Sequence, residues 1–279
     1  MRISTMMPLI PALLPVVFAA PQQPMFTNTT ELPTHFAMLL IPQFQALDVF
    51  GPLDVLNMLS MLYKNHTTMT LTMLSKNMEP VSTTNRALLG KAGFGEEVLP
   101  TNTFAEVLGK KKSCPAAPAG GYAQSEPPTN QTAPTNKDIE VLLVPGGAGS
   151  RQNMTEEIAF VKEIYPKLKY LISICTGATI LSRAGVLDGR NATTNKRSWA
   201  WATSTGPNVK WVPSARWVED GNIFTSSGVS AGTDVTMAWV GKIYGEEVAD
   251  FVAASMEYER WTDPHRDPFA KVWDVPGAV

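Results

Sequence analysis

Cysteine and histidine are scarce in this chain, whose 279 residues hold two of the first and three of the second. Cys114 and Cys175 allow at most one disulfide; Cys114 lies in a loop-like stretch and Cys175 at the end of an apolar run, so both are expected to be free. His35, His66 and His265 combine with no cysteine or carboxylate cluster at ligand spacing, so no metal site is indicated. An excess of either charge is also missing. Against 25 Asp and Glu stand 23 Lys and Arg, a net charge of −2 that gives no reason to expect nucleic acid or an anionic membrane as partner. No stretch is long and apolar enough to cross a bilayer, which takes roughly 20 residues. The apolar run from Met6 to Phe18 is shorter and is broken by Pro8, Pro11 and Pro15.

What that run does fit is a secretory signal peptide over residues 1–20, with Arg2 before it and Val17-Phe18-Ala19 as a small-residue cleavage site. The chain is therefore expected to be secreted. Sequons at Asn28, Asn65, Asn130, Asn153 and Asn191 agree with export and mark possible N-glycosylation, although Asn191 leads into an expected strand. Residues 21–33, rich in Pro, Thr and Asn, read as a flexible N-terminus.

With 44 % hydrophobic residues the rest can bury one large core. His35 to Ile41 and Ile139 to Val144 are continuous apolar runs, suited to strands of a parallel sheet covered on both faces. Thr68 to Leu74 reads as a further strand, and Ala87 to Val98 as a small hairpin. Helices are expected over Leu53 to Tyr63, Thr155 to Tyr165, Asp234 to Tyr244 and Glu246 to Glu259. Short strands are expected at Asn191 to Thr194, Val209 to Trp211, Ala215 to Val218 and Asn222 to Thr225, and a short helix over Arg197 to Trp201. Residues 109–138, with a Lys triplet, prolines and a Thr/Asn tract, cannot build a core and read as a surface insertion. The domain is thus placed at 34–262, with a coil-like tail over 263–279. Alternating strands and helices define a three-layer α/β/α sandwich with a mostly parallel sheet.

One stretch carries the chemistry. Tyr170 to Ile174 is an apolar strand that stops at Cys175 and turns directly into a helix through Thr176-Gly177. A side chain on such a corner projects from the carboxyl edge of the sheet, and Gly177 lets the helix pack closely. At the first turn of a helix, free N–H groups are expected to stabilise a thiolate and lower its pKa below roughly 8.5. Asp48 follows the first strand and falls at the same edge, where ligands gather in open α/β sheets. The loop Pro145-Gly-Gly-Ala-Gly149 lacks nucleotide-binding spacing, but N–H groups at Gly146 and Gly147 could meet negative charge on a substrate atom.

The ordered set LDVFGPLDVL (47–56), VPGGAG (144–149), SICTGATILSRAGVLDGRNATT (173–194), DGNIFTSSGVSAGTD (220–234) and MEY (256–258) resembles the ThiJ/PfpI superfamily of class I glutamine amidotransferase-like proteins, closest to its isocyanide (isonitrile) hydratase branch. The resemblance implies a flavodoxin-like fold with a cysteine nucleophile elbow, no cofactor, a small-molecule substrate and a homodimer. Carried over, Cys175 is the nucleophile, Asp48 its acidic partner, Thr176 a neighbour shaping the site, and Gly146 and Gly147 its oxyanion or substrate lining. The implied reaction adds water to an isocyanide to give an N-substituted formamide. Where peptidase and amidotransferase branches carry histidine after the nucleophile, this chain has Thr176, which argues against a Cys-His triad. Glyoxalase-type or amide-directed chemistry with the same cysteine, and a non-catalytic redox-responsive secreted protein, are the alternatives.

Overall fold

The computed structural model describes residues 22–28, 31–85, 93–110 and 139–278. The expected signal peptide, Cys114, the sequon at Asn130, all but the first two residues of the 109–138 insertion and part of the expected 87–98 hairpin lie outside the described residues.

The apolar runs form the centre of the sheet. His35–Leu39 (β1) is buried along its whole length and pairs in parallel with Thr70–Ser75 (β2) and with Val141–Val144 (β6). Tyr170–Ser173 (β7) continues it, Val144 opposite Ser173, and Ile223–Ser226 (β11) pairs in parallel with β7. Asn102–Thr103 (β5) closes one edge beside β2. Trp217–Asp220 (β10) closes the other as the antiparallel arm of a hairpin whose turn carries Gly221 at φ +65°. Seven strands thus follow the order β10-β11-β7-β6-β1-β2-β5. Two small ladders stand apart: Val81–Ser82 (β3) with Glu97–Val98 (β4), and Asn191–Ala192 (β8) with Lys210–Trp211 (β9). The hairpin expected within 87–98 is instead closed by β3, so its first arm lies upstream of the sequence reading.

Helices flank the sheet in two groups. Ala46–Leu62 (α1) packs with Ala231–Tyr244 (α6) and Glu246–Ser255 (α7); Thr155–Ile164 (α3) packs with Ala178–Arg183 (α4), which meets Trp199–Ser204 (α5). Phe104–Val107 (α2) is one turn held by a capping box between Thr103 and Glu106. Burying both faces of a Val/Leu/Ile sheet against these helices supplies the main drive to fold, each fully buried aliphatic side chain contributing about 1.5–3 kcal/mol.

Several helix boundaries differ from expectation: α5 spans Trp199–Ser204 rather than 197–201, α6 begins at Ala231 rather than Asp234, and α7 ends at Ser255 rather than Glu259. Helix α1 begins at Ala46, not Leu53, and runs through Pro52, so Asp48 lies in its first turn rather than in a loop. Proline there removes the N–H that would reach the Asp48 carbonyl, four residues back, and crowds that carbonyl with its ring. Within the tail expected as coil, Pro268–Val272 forms a short helix (α8), with Pro268 in its first turn and Asp267 as its cap. No helix among the described residues is long and apolar enough to cross a membrane.

Of the described sequons, Asn65, Asn153 and Asn191 are exposed, and Asn28 is half-buried. The amides of Asn28 and Asn191 donate to the Ile243 carbonyl and to Asp220 Oδ2, at 2.8 and 3.2 Å.

Candidate active site

Strand β7 ends in extended backbone at Ile174, and the next residue, Cys175, adopts φ +56°. A positive φ at a residue with a Cβ costs on the order of 1 kcal/mol and persists only where the surroundings enforce it. They do so here by geometry: Cys175–Gly177 forms a 3-10 turn feeding directly into α4, and the Ile174 N–H donates to the Val144 carbonyl at 2.9 Å. A Cβ on Gly177 would lie 2.2 Å from the Val144 carbonyl oxygen, which is why the turn needs glycine there. The corner expected from the sequence is therefore present, with Cys175 free and 5 % exposed.

Asp48 reaches the same point from the first turn of α1 and is fully buried. Its Oδ2 accepts the Gly146 N–H at 2.9 Å. Oδ1 is buried without a hydrogen-bond partner, although the Cys175 thiol lies close enough to favour the ionised form. Burial outweighs both contacts and lifts the carboxyl from its ordinary 3.8 to about 7. Asp48 thus gains and loses its proton near neutrality.

The thiol departs from expectation. Burial first, and then the negative charge of Asp48, push its pKa above the ordinary 9.0, and only partly do the N–H and hydroxyl of Thr176 and the side chain of Asn195 offset them. A three-residue turn inside the protein offers too little dipole to outweigh desolvation, so Cys175 rests as a neutral thiol beside a base.

Thr176 anchors the glycine loop. Its Oγ1 accepts the Gly147 N–H at 3.0 Å and the Ser150 hydroxyl at 2.9 Å. This corrects the role expected of Gly146 and Gly147. Both N–H groups are spent inside the protein, one on Asp48 and one on Thr176, and none is free to meet a substrate oxyanion. Gly146 is needed for another reason: a Cβ on it would fall 2.5 Å from both the backbone nitrogen and the hydroxyl of Thr176.

Sequence reasoning missed Asn195 and Thr194. The first reaches the thiol with its side chain; the second donates its hydroxyl to the Cys175 carbonyl at 3.0 Å and helps hold the strained corner. Both follow the short strand β8, and only their place at a strand's carboxyl end could have marked them. Among the groups acting on the thiol are Asp48, Thr176 and Asn195, and none is a histidine. His35 faces Thr72 on neighbouring β2, 2.8 Å away.

A parallel α/β sheet with a cysteine on a strand-to-helix corner defines a nucleophile-elbow protein of the flavodoxin-like class. The DJ-1/PfpI family model matches residues 35–242, and the chain belongs to that family. It is 30 % identical over 227 residues to the isonitrile hydratase of Pseudomonas putida, covering 80 % of this chain and 78 % of that one. It is also 29 % identical over 123 residues to the HTH-type transcriptional regulator GbdR of Pseudomonas aeruginosa, but that match spans only 33 % of the regulator. Among solved structures, a ThiJ/PfpI family protein from Pseudomonas syringae superposes with a TM-score of 0.59 at 24 % identity, covering 88 % of this chain and 84 % of that one. Drosophila melanogaster DJ-1beta superposes with a TM-score of 0.56 at 18 % identity, covering 82 % of this chain and all of that one. Likenesses at that identity speak to the fold.

Proposed function

We propose that the protein is a cofactor-free, cysteine-dependent hydratase acting on an isocyanide or a similar small electrophile. The observation that carries the reading is the isolated pair: a neutral, buried thiol beside a carboxyl group with pKa about 7 and an unpartnered oxygen, with no histidine acting on the thiol. The 30 % identity to isonitrile hydratase over most of both chains supports the same reading.

The chemistry follows from where one proton can sit. With the thiol neutral and Asp48 ionised, the carboxylate takes the thiol proton as sulfur attacks the terminal carbon of R–N≡C. The resulting carboxylic acid delivers that proton to the same carbon, giving the thioimidate R–N=CH–S–Cys175. Ionised again, Asp48 draws a proton from water as the oxygen adds to the carbon and passes that proton to the nitrogen. Collapse of R–NH–CH(OH)–S sends the hydroxyl proton through Asp48 to the departing sulfur and releases R–NH–CHO. One water is consumed, and neither metal nor redox partner enters the balance.

The test is formamide release from a panel of aryl and alkyl isocyanides by wild type, Cys175→Ala and Asp48→Asn. Turnover by wild type alone is expected. A wild type inert on the whole panel, with Cys175 still open to alkylation, would mean another electrophile is the substrate.

A further inference from the structure

Beside the buried thiol the surface opens into a pocket of about 400 Å³. Its lining includes Asn195, whose side chain reaches the Cys175 sulfur, the cationic side chains of Lys196, Arg197 and Arg216, and part of the turn after β11. Leu47, next in sequence to Asp48, forms one wall. Phe269 of α8 and Trp273 just after it form another. These three large apolar side chains are 45, 44 and 48 % exposed, yet all border one depression at the catalytic edge. Clustered exposed apolar groups beside polar ones mark a ligand surface more than scattered ones do.

The aromatic wall is fastened down. Asp267, 5 % exposed, caps α8 through the Phe269 N–H at 3.1 Å, accepts the Ser227 hydroxyl, and lies 3.6 Å from Arg216 Nη1 and 4.0 Å from Lys196 Nζ. The Arg216 guanidinium lies over the Phe269 ring at 5.9 Å, and that of Arg197 over the Trp273 ring at 5.5 Å. Rings held this way are set in place before a substrate arrives, and ordering them costs little at binding.

We propose that this pocket receives the side group of the substrate and that Phe269 and Trp273 select an aromatic one, making aryl electrophiles the preferred class over small alkyl ones. The proposal rests on reading Cys175 as the nucleophile. Both rings lie outside the 35–242 family match.

Two readouts test it in wild type, Phe269→Ala, Trp273→Ala and Trp273→Phe. The first is kcat/KM for phenyl isocyanide relative to tert-butyl isocyanide. The second needs no turnover: the rate of Cys175 labelling by N-phenylmaleimide relative to N-methylmaleimide, read by mass spectrometry of the Cys175 peptide. The aryl-to-alkyl ratio is expected to exceed one in wild type, to fall roughly threefold to tenfold in each alanine variant, and to stay near wild type in Trp273→Phe. An unchanged labelling ratio in both alanine variants overturns the proposal, whatever the isocyanide data. If no isocyanide is turned over but the labelling ratio still collapses, the hydration reading falls and the aromatic pocket stands.

Discussion

Asp48 and Cys175 meet inside the protein at the strand-to-helix corner. The reactive pair holds one proton, so kcat/KM of wild type is expected to rise as pH climbs through about 7, where the free carboxyl ionises, and then to level off as pH rises further. A profile that falls across neutrality would contradict the relay. Gly146→Ala tests the corner from its other side. With a Cβ 2.5 Å from the Thr176 nitrogen and hydroxyl, overpacking is expected to cost about 1–3 kcal/mol in chemical denaturation and to lower activity at least tenfold. Cys175 was legible because strand, turn and helix lie consecutively in the sequence around it. Its protonation was not, because burial depends on residues such as Asn195 that arrive from elsewhere in the chain.

Among the helices and strands, the buried ones could be read and the polar attachments could not. Continuous apolar runs gave β1, β6 and β7 nearly to the residue. The start of α1 lies at Ala46 rather than Leu53 because a helix can carry proline near its beginning. Helix α8 escaped because it owes its position to contacts distant in sequence: Asp267 with Ser227, Arg216 and Lys196. Burial lowers the Lys196 ammonium from 10.5 to about 7, with Asp267 the principal group opposing that loss of charge. Asp267→Ala leaves buried cations short of a partner and is expected to destabilise the protein by roughly 3 kcal/mol in urea unfolding. A change within 0.5 kcal/mol would mean that the C-terminal segment is held by its apolar contacts alone.

For the molecule as a whole, two of the buried titrating groups, Asp48 and Lys196, predict a pH dependence of stability in separate windows. Asp48 is raised from 3.8 to about 7, so the folded state holds more protons than the unfolded one across that range, and stability is lost as pH rises through it. Lys196 is lowered from 10.5 to about 7; there the unfolded state holds more protons, and stability is regained as pH rises beyond neutrality. Asp48→Asn removes the first loss and is expected to raise stability over wild type at pH 8 by roughly 1–4 kcal/mol, with little difference at pH 4. Such a gain from deleting a site residue would be the mark of an active-site carboxyl kept at the expense of stability. The family fold supplies the corner and the sheet edge; the claim specific to this chain is that Cys175 forms a covalent bond to the substrate carbon. Quenching the enzyme during turnover of phenyl isocyanide and weighing the Cys175 peptide tests that directly. The account predicts a mass gain equal to one whole isocyanide on Cys175, absent from Cys175→Ala, which makes no formamide. Formamide from Cys175→Ala at the wild-type rate, with no adduct on the wild-type peptide, would contradict it.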